Sequence, residues 1–155
     1  MGRGADGLSA LATKRIVYKL LNRIKAALGH GEAVQLDAPF IEAMRSLHAT
    51  ECRYTFCGHM HEPKLYHVSG TGKAGDFVPS AGVAIPIPPI RQWLIVPGSA
   101  GQPRDGNPAA CYAMFDLAEQ SLTFHRVPYD HDTAARKILD AGLPARLAER
   151  LIHGQ

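Results

Sequence analysis

The sequence predicts a mixed α/β protein, α+β when taken in isolation. Three observations lead there: a helical apolar repeat near the start, short β-rich segments punctuated by Gly and Pro in the middle, and two amphipathic helical segments at the end. A chain of 155 residues is long enough for one domain with a real core. Its 46% hydrophobic and 20% charged residues exclude a wholly disordered chain.

Taking the elements in order, Leu8, Leu11, Ile16, Val17, Leu20, Leu21, Ile24 and Leu28 recur at helical spacing, and Gly29 supplies a stop. Arg3, Lys14, Arg15, Lys19, Arg23 and Lys25 face only Asp6 there, so the basic residues fall mostly on the solvated face of one amphipathic helix. Residues 1–33 are set apart as this basic segment, and 34–155 form the rest. A second, short helix is predicted with Asp37 as N-cap, Pro39 in the first turn, and Phe40, Ile41, Met44 and Leu47 on one face.

After Thr50 the texture becomes that of strands. Arg53 to Cys57 reads as a brief buried strand, Lys64 to Ser69 as the next, and Gln92 to Val96 as a third. Between them, Gly70 to Pro89 is rich in Gly and Pro and is expected to be an irregular excursion or edge, since proline cannot donate to a sheet ladder. Ala110 to Leu117 and Leu122 to Val127 alternate and form a hairpin with one packed and one wetter face. Asp130 then caps a helix packing through Ala134, Ala135, Ile138 and Leu139 and closed by Gly142. A last helix from Pro144 to Ile152 turns Leu147 and Leu151 inward. The order suggests an antiparallel or mixed sheet with helices on one face.

Composition also narrows the function. Cys52, Cys57 and Cys111 are an odd set without a Cys-x-x-Cys pair, and no signal-peptide run precedes them, which favours reduced thiols in a cytoplasmic protein. No apolar stretch reaches the roughly 18 residues that would make a membrane a partner. The basic first segment lacks the aromatic series and reading motifs of a nucleic-acid binder, and a strongly salt-dependent association would mark one.

The chemistry concentrates in Tyr54-Thr55-Phe56-Cys57-Gly58-His59-Met60-His61-Glu62-Pro63. A strand delivers the chain to a glycine that permits a close turn, and two imidazoles follow with Met60 between them. Neutral imidazole is a common ligand for Zn, Mn, Fe or Ni, so His59 and His61 are candidate metal ligands, the alternative being two ordinary turn histidines. Two donors are fewer than the four of a closed site. Cys57 beside them is expected to be a small buried strand residue. Ser99 invites a nucleophile reading, but no Gly-x-Ser-x-Gly elbow surrounds it and a loop-turn role is favoured. His67, His125 and His131 are read as surface or satisfied histidines.

The stretch Gly58-His59-Met60-His61 before Pro63 resembles the Gly-His-Thr-His loop of calcineurin-like metallophosphoesterases, with Met60 for threonine. Gly98-Ser99-Ala100-Gly101-Gln102-Pro103-Arg104-Asp105 is similar to the Gly-Ser-Val-Gly-Gln-Pro-Arg-Asp loop of bacterial members, with Ala100 for valine. Arg126-Val127-Pro128-Tyr129-Asp130 and Ala141 to Pro144 resemble the end of the family's closing hairpin and the helices after it. The resemblance spans about Ala49 to Gly154. It implies the C-terminal half of a four-layer αββα sandwich flanked by N- and C-terminal helices, and metal-dependent hydrolysis of a phosphomonoester or phosphodiester. A pair of divalent ions (Mn, Fe, Zn or Ni) would polarise the phosphate and activate water, with His59 on one ion and His61 on the other.

Arg104 would face the phosphate, or instead tie the loop to a carboxylate such as Asp105 or Asp130. No residue is assigned a direct catalytic role. The family's Asp-x-His, Gly-Asp-x-x-Asp and Gly-Asn-His-Asp/Glu motifs have no counterpart here; Asp130-His131-Asp132 and Gly29-His30-Gly31-Glu32 do not have their patterns. The expectation is therefore a chain inactive by itself: a fragment or mis-started form, a chain completed by a missing N-terminal half or second chain, or a pseudoenzyme. A non-catalytic binding protein keeping a remnant of the fold is the alternative.

Overall fold

A computed structural model of the protein describes residues 38–155. The predicted first helix, Asp37, and the boundary drawn after residue 33 lie outside these residues. The described chain runs α1 (Ala38–Thr50), β1 (Tyr54–Phe56), β2 (Pro63–Ser69), β3 (Ala74–Phe77), β4 (Ala84–Pro86), β5 (Arg91–Pro97), β6 (Ala110–Asp116), β7 (Ser121–Val127), α2 (His131–Asp140) and α3 (Ala145–His153). It is a mixed α/β fold in which the strands form two sheets: a four-stranded one in the order β1-β5-β2-β3 and a three-stranded one in the order β4-β7-β6.

The described residues fall into two compact units, the first comprising 38–55, Tyr66–Asp76 and Ile90–Leu94, the second Phe56–Leu65, Phe77–Pro89 and Ile95–Gln155. In the first, α1 buries Phe40, Ala43, Met44 and Leu47, close to the predicted face. Phe40 meets Tyr66 edge-on with ring centroids 6.2 Å apart. Helices end with carbonyls that lack intrahelical donors; here the Gln92 side chain donates to Leu47 O at 3.4 Å and to Cys52 O at 3.2 Å, fixing the exit from α1.

In the second unit, β6 and β7 pair antiparallel from Ala110↔Val127 to Asp116↔Ser121. Inward positions Cys111, Leu122 and Phe124 are buried, whereas Tyr112 and Met114 are exposed, as the alternation predicts. The Asp116 carboxylate accepts from Glu119 N at 2.9 Å and closes the turn. The Asp130 carboxylate accepts from Thr133 N at 2.9 Å and caps α2. Those bonds to Thr133 hold the Asp130 carboxyl below the usual carboxylate range.

Several expectations give way. The Gly70 to Pro89 segment is not irregular throughout but takes the edge alternative, with two short strands, β3 and β4, each at the edge of its sheet. β4 pairs with β7 through Ala84↔Thr123, Ile85↔Leu122 and Pro86↔Ser121, and as an edge strand it tolerates proline. Strand β1 is not buried: Phe56 is 48% exposed, and Cys57 is exposed rather than packed. Leu139 is 49% exposed, and the buried positions are instead Ala135 on α2 and Ala148 and Leu151 on α3. No helix among the described residues is long and apolar enough to cross a membrane.

Candidate functional site

Cys57 N donates to Ile95 O at 3.0 Å, and beyond that bond the chain leaves β1 and turns sharply. Met60 N donates back to Gly58 O at 3.1 Å across His59, whose φ is +77°. A bond of that span over a positive φ is a γ-turn, a rare and strained conformation. His61 follows at φ +63°, also left-handed. Gly58, expected to supply the turn's freedom, has no positive φ, and a side chain there would meet open space. The conformational demand is carried by the two histidines, where a residue with a Cβ costs about 1–2 kcal/mol.

The histidine turn is fastened to the loop 97–108. His61 Nδ1 lies 2.8 Å from Gln102 O, and Arg104 N donates to His61 O at 3.2 Å. A carbonyl can only accept, so the proton of the neutral ring is on Nδ1 and the lone pair on Nε2 is left for a ligand. This orientation of one ring nitrogen by a backbone carbonyl is the arrangement that tunes metal-binding histidines. The chemistry of His61 thus fits a divalent ion. His59 is exposed.

The loop is held at its other corners too. Gly98, at φ +87°, could carry no side chain, since a Cβ would lie 2.8 Å from both Cβ and Sγ of Cys111. Cys111 N donates to Ser99 O at 2.8 Å, and Ser99 Oγ accepts from Gln102 N at 2.9 Å, which is the loop-turn role and not a nucleophile's. At the far end Arg126 pairs with Asp105 and donates to Ala109 O at 3.1 Å. Gly106 N donates to Gly154 O at 2.9 Å.

Arg104 is exposed and donates to Gln102 Oε1 at 3.0 Å. Neither carboxylate proposed as its anchor serves it: Asp105 is taken by Arg126 and Asp130 by the α2 cap. Its guanidinium keeps further donors for an anion. In the sequence Arg126 stands in a matching motif and Gly154 only at the end of the resembling stretch, neither with this bracing role, and nothing there pointed to the Gln102 carbonyl.

Among the described residues no group of three or more His, Cys, Asp or Glu side chains is placed to hold a metal ion. His131 lies against Tyr129 and Asp132, His125 stacks on Tyr112, and His67 packs on Trp93, so none of the three joins His59 and His61.

With this geometry in hand the family can be stated. The chain belongs to the calcineurin-like phosphoesterase superfamily, whose domain model matches residues 6–120. That match begins inside the basic segment 1–33, which was not expected to resemble the family. The described fold is similar to the crystal structure of a metallophosphoesterase from Sphaerobacter thermophilus, with a TM-score of 0.65 and 33% identity over 74% of this chain and 47% of that one. An uncharacterized protein of Methanocaldococcus jannaschii is 37% identical over 100 residues, 64% of this chain and 39% of the relative. The chain therefore spans less than half the length of either.

Proposed function

We propose that the protein serves metal-dependent hydrolysis of a phosphomonoester or phosphodiester, with His59 and His61 as metal ligands and Arg104 as a contact for the substrate phosphate. The observation that carries this reading is the His61 ring, held by Gln102 O at 2.8 Å so that its other nitrogen is a free lone pair. The strained backbone at His59 and His61 supports it as well, because strain of this kind clusters at functional sites. Divalent ions, when bound, supply the positive charge that polarises a phosphate and lowers the pKa of water. The chain's own residues would donate imidazole nitrogens, fix the His61 ring by a carbonyl and offer the Arg104 guanidinium from the same loop.

Two imidazoles hold an ion weakly, and a two-ion site needs carboxylates to bridge and balance it. By itself the chain is expected to bind Mn²⁺ loosely and to turn over phosphoesters little or not at all. Further donors would come from residues outside 38–155 or from a second chain. The experiment is calorimetric titration of Mn²⁺, with a chromogenic phosphodiester assay in parallel, on the wild-type chain, His59→Ala and His61→Ala. Weak binding lost in both variants supports the reading; binding that ignores both histidines sinks it in favour of a non-catalytic binding role. Robust turnover by the chain alone, abolished in His59→Ala, would keep the function and overturn the incompleteness.

A further inference from the structure

We propose that Ser99 is a positioning residue for His61: its hydroxyl holds the turn that aims the Gln102 carbonyl at Nδ1, and thereby selects Nε2 as the nitrogen presented to an ion. The inference rests on the metal reading of His61 for its purpose, but not for its geometry.

The chain of contacts is short. Gln102 N donates to Ser99 Oγ at 2.9 Å, a side-chain-to-backbone turn across three residues. Ser99 O is itself fixed by Cys111 N at 2.8 Å, so the hydroxyl projects from an anchored peptide on the β6 side of the loop. On the other side Pro103 is fully buried and locks its own φ. The peptide between Gln102 and Pro103 is pinned at both ends, and it has no N–H. Its one polar group is the carbonyl that meets His61 Nδ1 at 2.8 Å. Arg104 N then returns to His61 O at 3.2 Å, so the loop grips both the backbone and the ring of the same histidine.

A histidine in water carries its neutral-form proton chiefly on Nε2, the nitrogen that would have to be bare for a ligand on that side of the ring. The protein reverses this preference through one acceptor, and the direction of that acceptor depends on the Ser99 turn. A hydroxyl is required and its nucleophilicity is not, so threonine can replace serine and alanine cannot.

The test uses metal-free, ¹⁵N-histidine-labelled chain at a pH where imidazole is neutral. Long-range ¹⁵N–¹H correlation reads the His61 tautomer, the signal being assigned by its loss in His61→Gln. Wild type and Ser99→Thr are expected to hold the proton on Nδ1. Ser99→Ala is expected to show a mixture with Nε2–H, together with an Mn²⁺ affinity about tenfold weaker by titration, the scale typical of losing an outer-shell partner. A Ser99→Ala protein that keeps the wild-type tautomer, or a Ser99→Thr protein that fails to keep it, overturns the proposal. Should the tautomer respond as expected while wild type binds no Mn²⁺, the metal reading falls and the positioning of the ring stands.

Discussion

The helical hairpin at the end of the chain and the histidine turn after β1 bend through the same left-handed backbone region but fill it with different residues. Gly142 at φ +69° and Gly154 at φ +65° end helices α2 and α3. His59 at φ +77° and His61 at φ +63° stand where glycine would be easier. Where the conformation serves only to stop a helix, glycine takes it without strain. Where a particular side chain is wanted, the chain accepts about 1–2 kcal/mol per residue to place it. The contrast is not absolute: Glu51 at φ +54° and Gln120 at φ +50° are left-handed outside the candidate site, and Gly98 at φ +87° is a glycine within it.

The contrast breaks most visibly at Gly154. A Cβ there would lie 2.7 Å from Asn107 N and 2.8 Å from Asn107 C, whereas one at Gly142 meets nothing within 4 Å. Gly142→Ala should therefore cost only the left-handed strain, about 1 kcal/mol. Gly154→Ala should cost about 2–4 kcal/mol, strain plus overpacking against backbone. Urea unfolding midpoints decide it: equal losses would mean that the loop beside Gly154 gives way freely and does not brace the site.

The next effect belongs to the same brace. The Arg126 side chain pairs with Asp105 while only 16% exposed, and it also donates to Ala109 O at 3.1 Å. Arg126→Gln should lose about 2 kcal/mol, more than an exposed pair would give, because Asp105 keeps its charge without its partner. The exposed pair of Arg45 with Glu42 on α1 is the comparison, and Arg45→Gln should change stability by about 0.5 kcal/mol or less. If the two losses are the same, the loop end is held by Gly154 alone.

A smaller effect has the opposite sign. His59→Gly removes a Cβ from φ +77° and should stabilise the chain by about 1 kcal/mol, while abolishing Mn²⁺ binding if His59 is a ligand. A variant more stable and less able to bind would be the signature of strain kept for function. A variant less stable than wild type would show that the His59 side chain makes contacts worth more than its strain.

What was legible in the sequence follows the same division. The hairpin of β6 and β7, the strands β2 and β5 and the helices α1 to α3 are written in apolar periodicity and in their Gly and Pro punctuation, so their places could be read locally. Strands β3 and β4 could not, because a short segment such as Ala84–Pro86 is a strand only by virtue of β7 beside it. In the candidate site, residue type and order were enough to single out His59, His61 and the Gly98 to Asp105 loop, which the structure brings together through His61 and Gln102. The left-handed histidines were not, since Gly58 offered itself as the residue with conformational freedom. Nor was the Gln102 carbonyl, which acts on His61 through backbone. Side-chain chemistry leaves its mark in sequence; the aim of a peptide group leaves almost none.

The smallest effect compares His61, whose ring is fixed by a carbonyl, with His67, whose ring is fixed by packing. His67 packs tilted against Trp93 with ring centroids 5.2 Å apart, and Arg91 Nη1 donates to its Nε2 at 3.5 Å. Burial and the neighbouring Arg91 charge hold its pKa below the ordinary 6.5, outweighing the opposing pull of Asp76 on β3. A histidine kept neutral in the folded state is protonated first in the unfolded chain. Its contribution to stability is therefore complete above about pH 6.5 and is lost as the pH falls from there through the lower folded value. The measurement is urea unfolding of wild type and His67→Gln from neutral pH to pH 5. The gap between the two curves should narrow on acidification, because glutamine has no proton to bind. A gap that stays constant over that range would show that His67 titrates alike in both states, and that Arg91 and burial do not govern its charge.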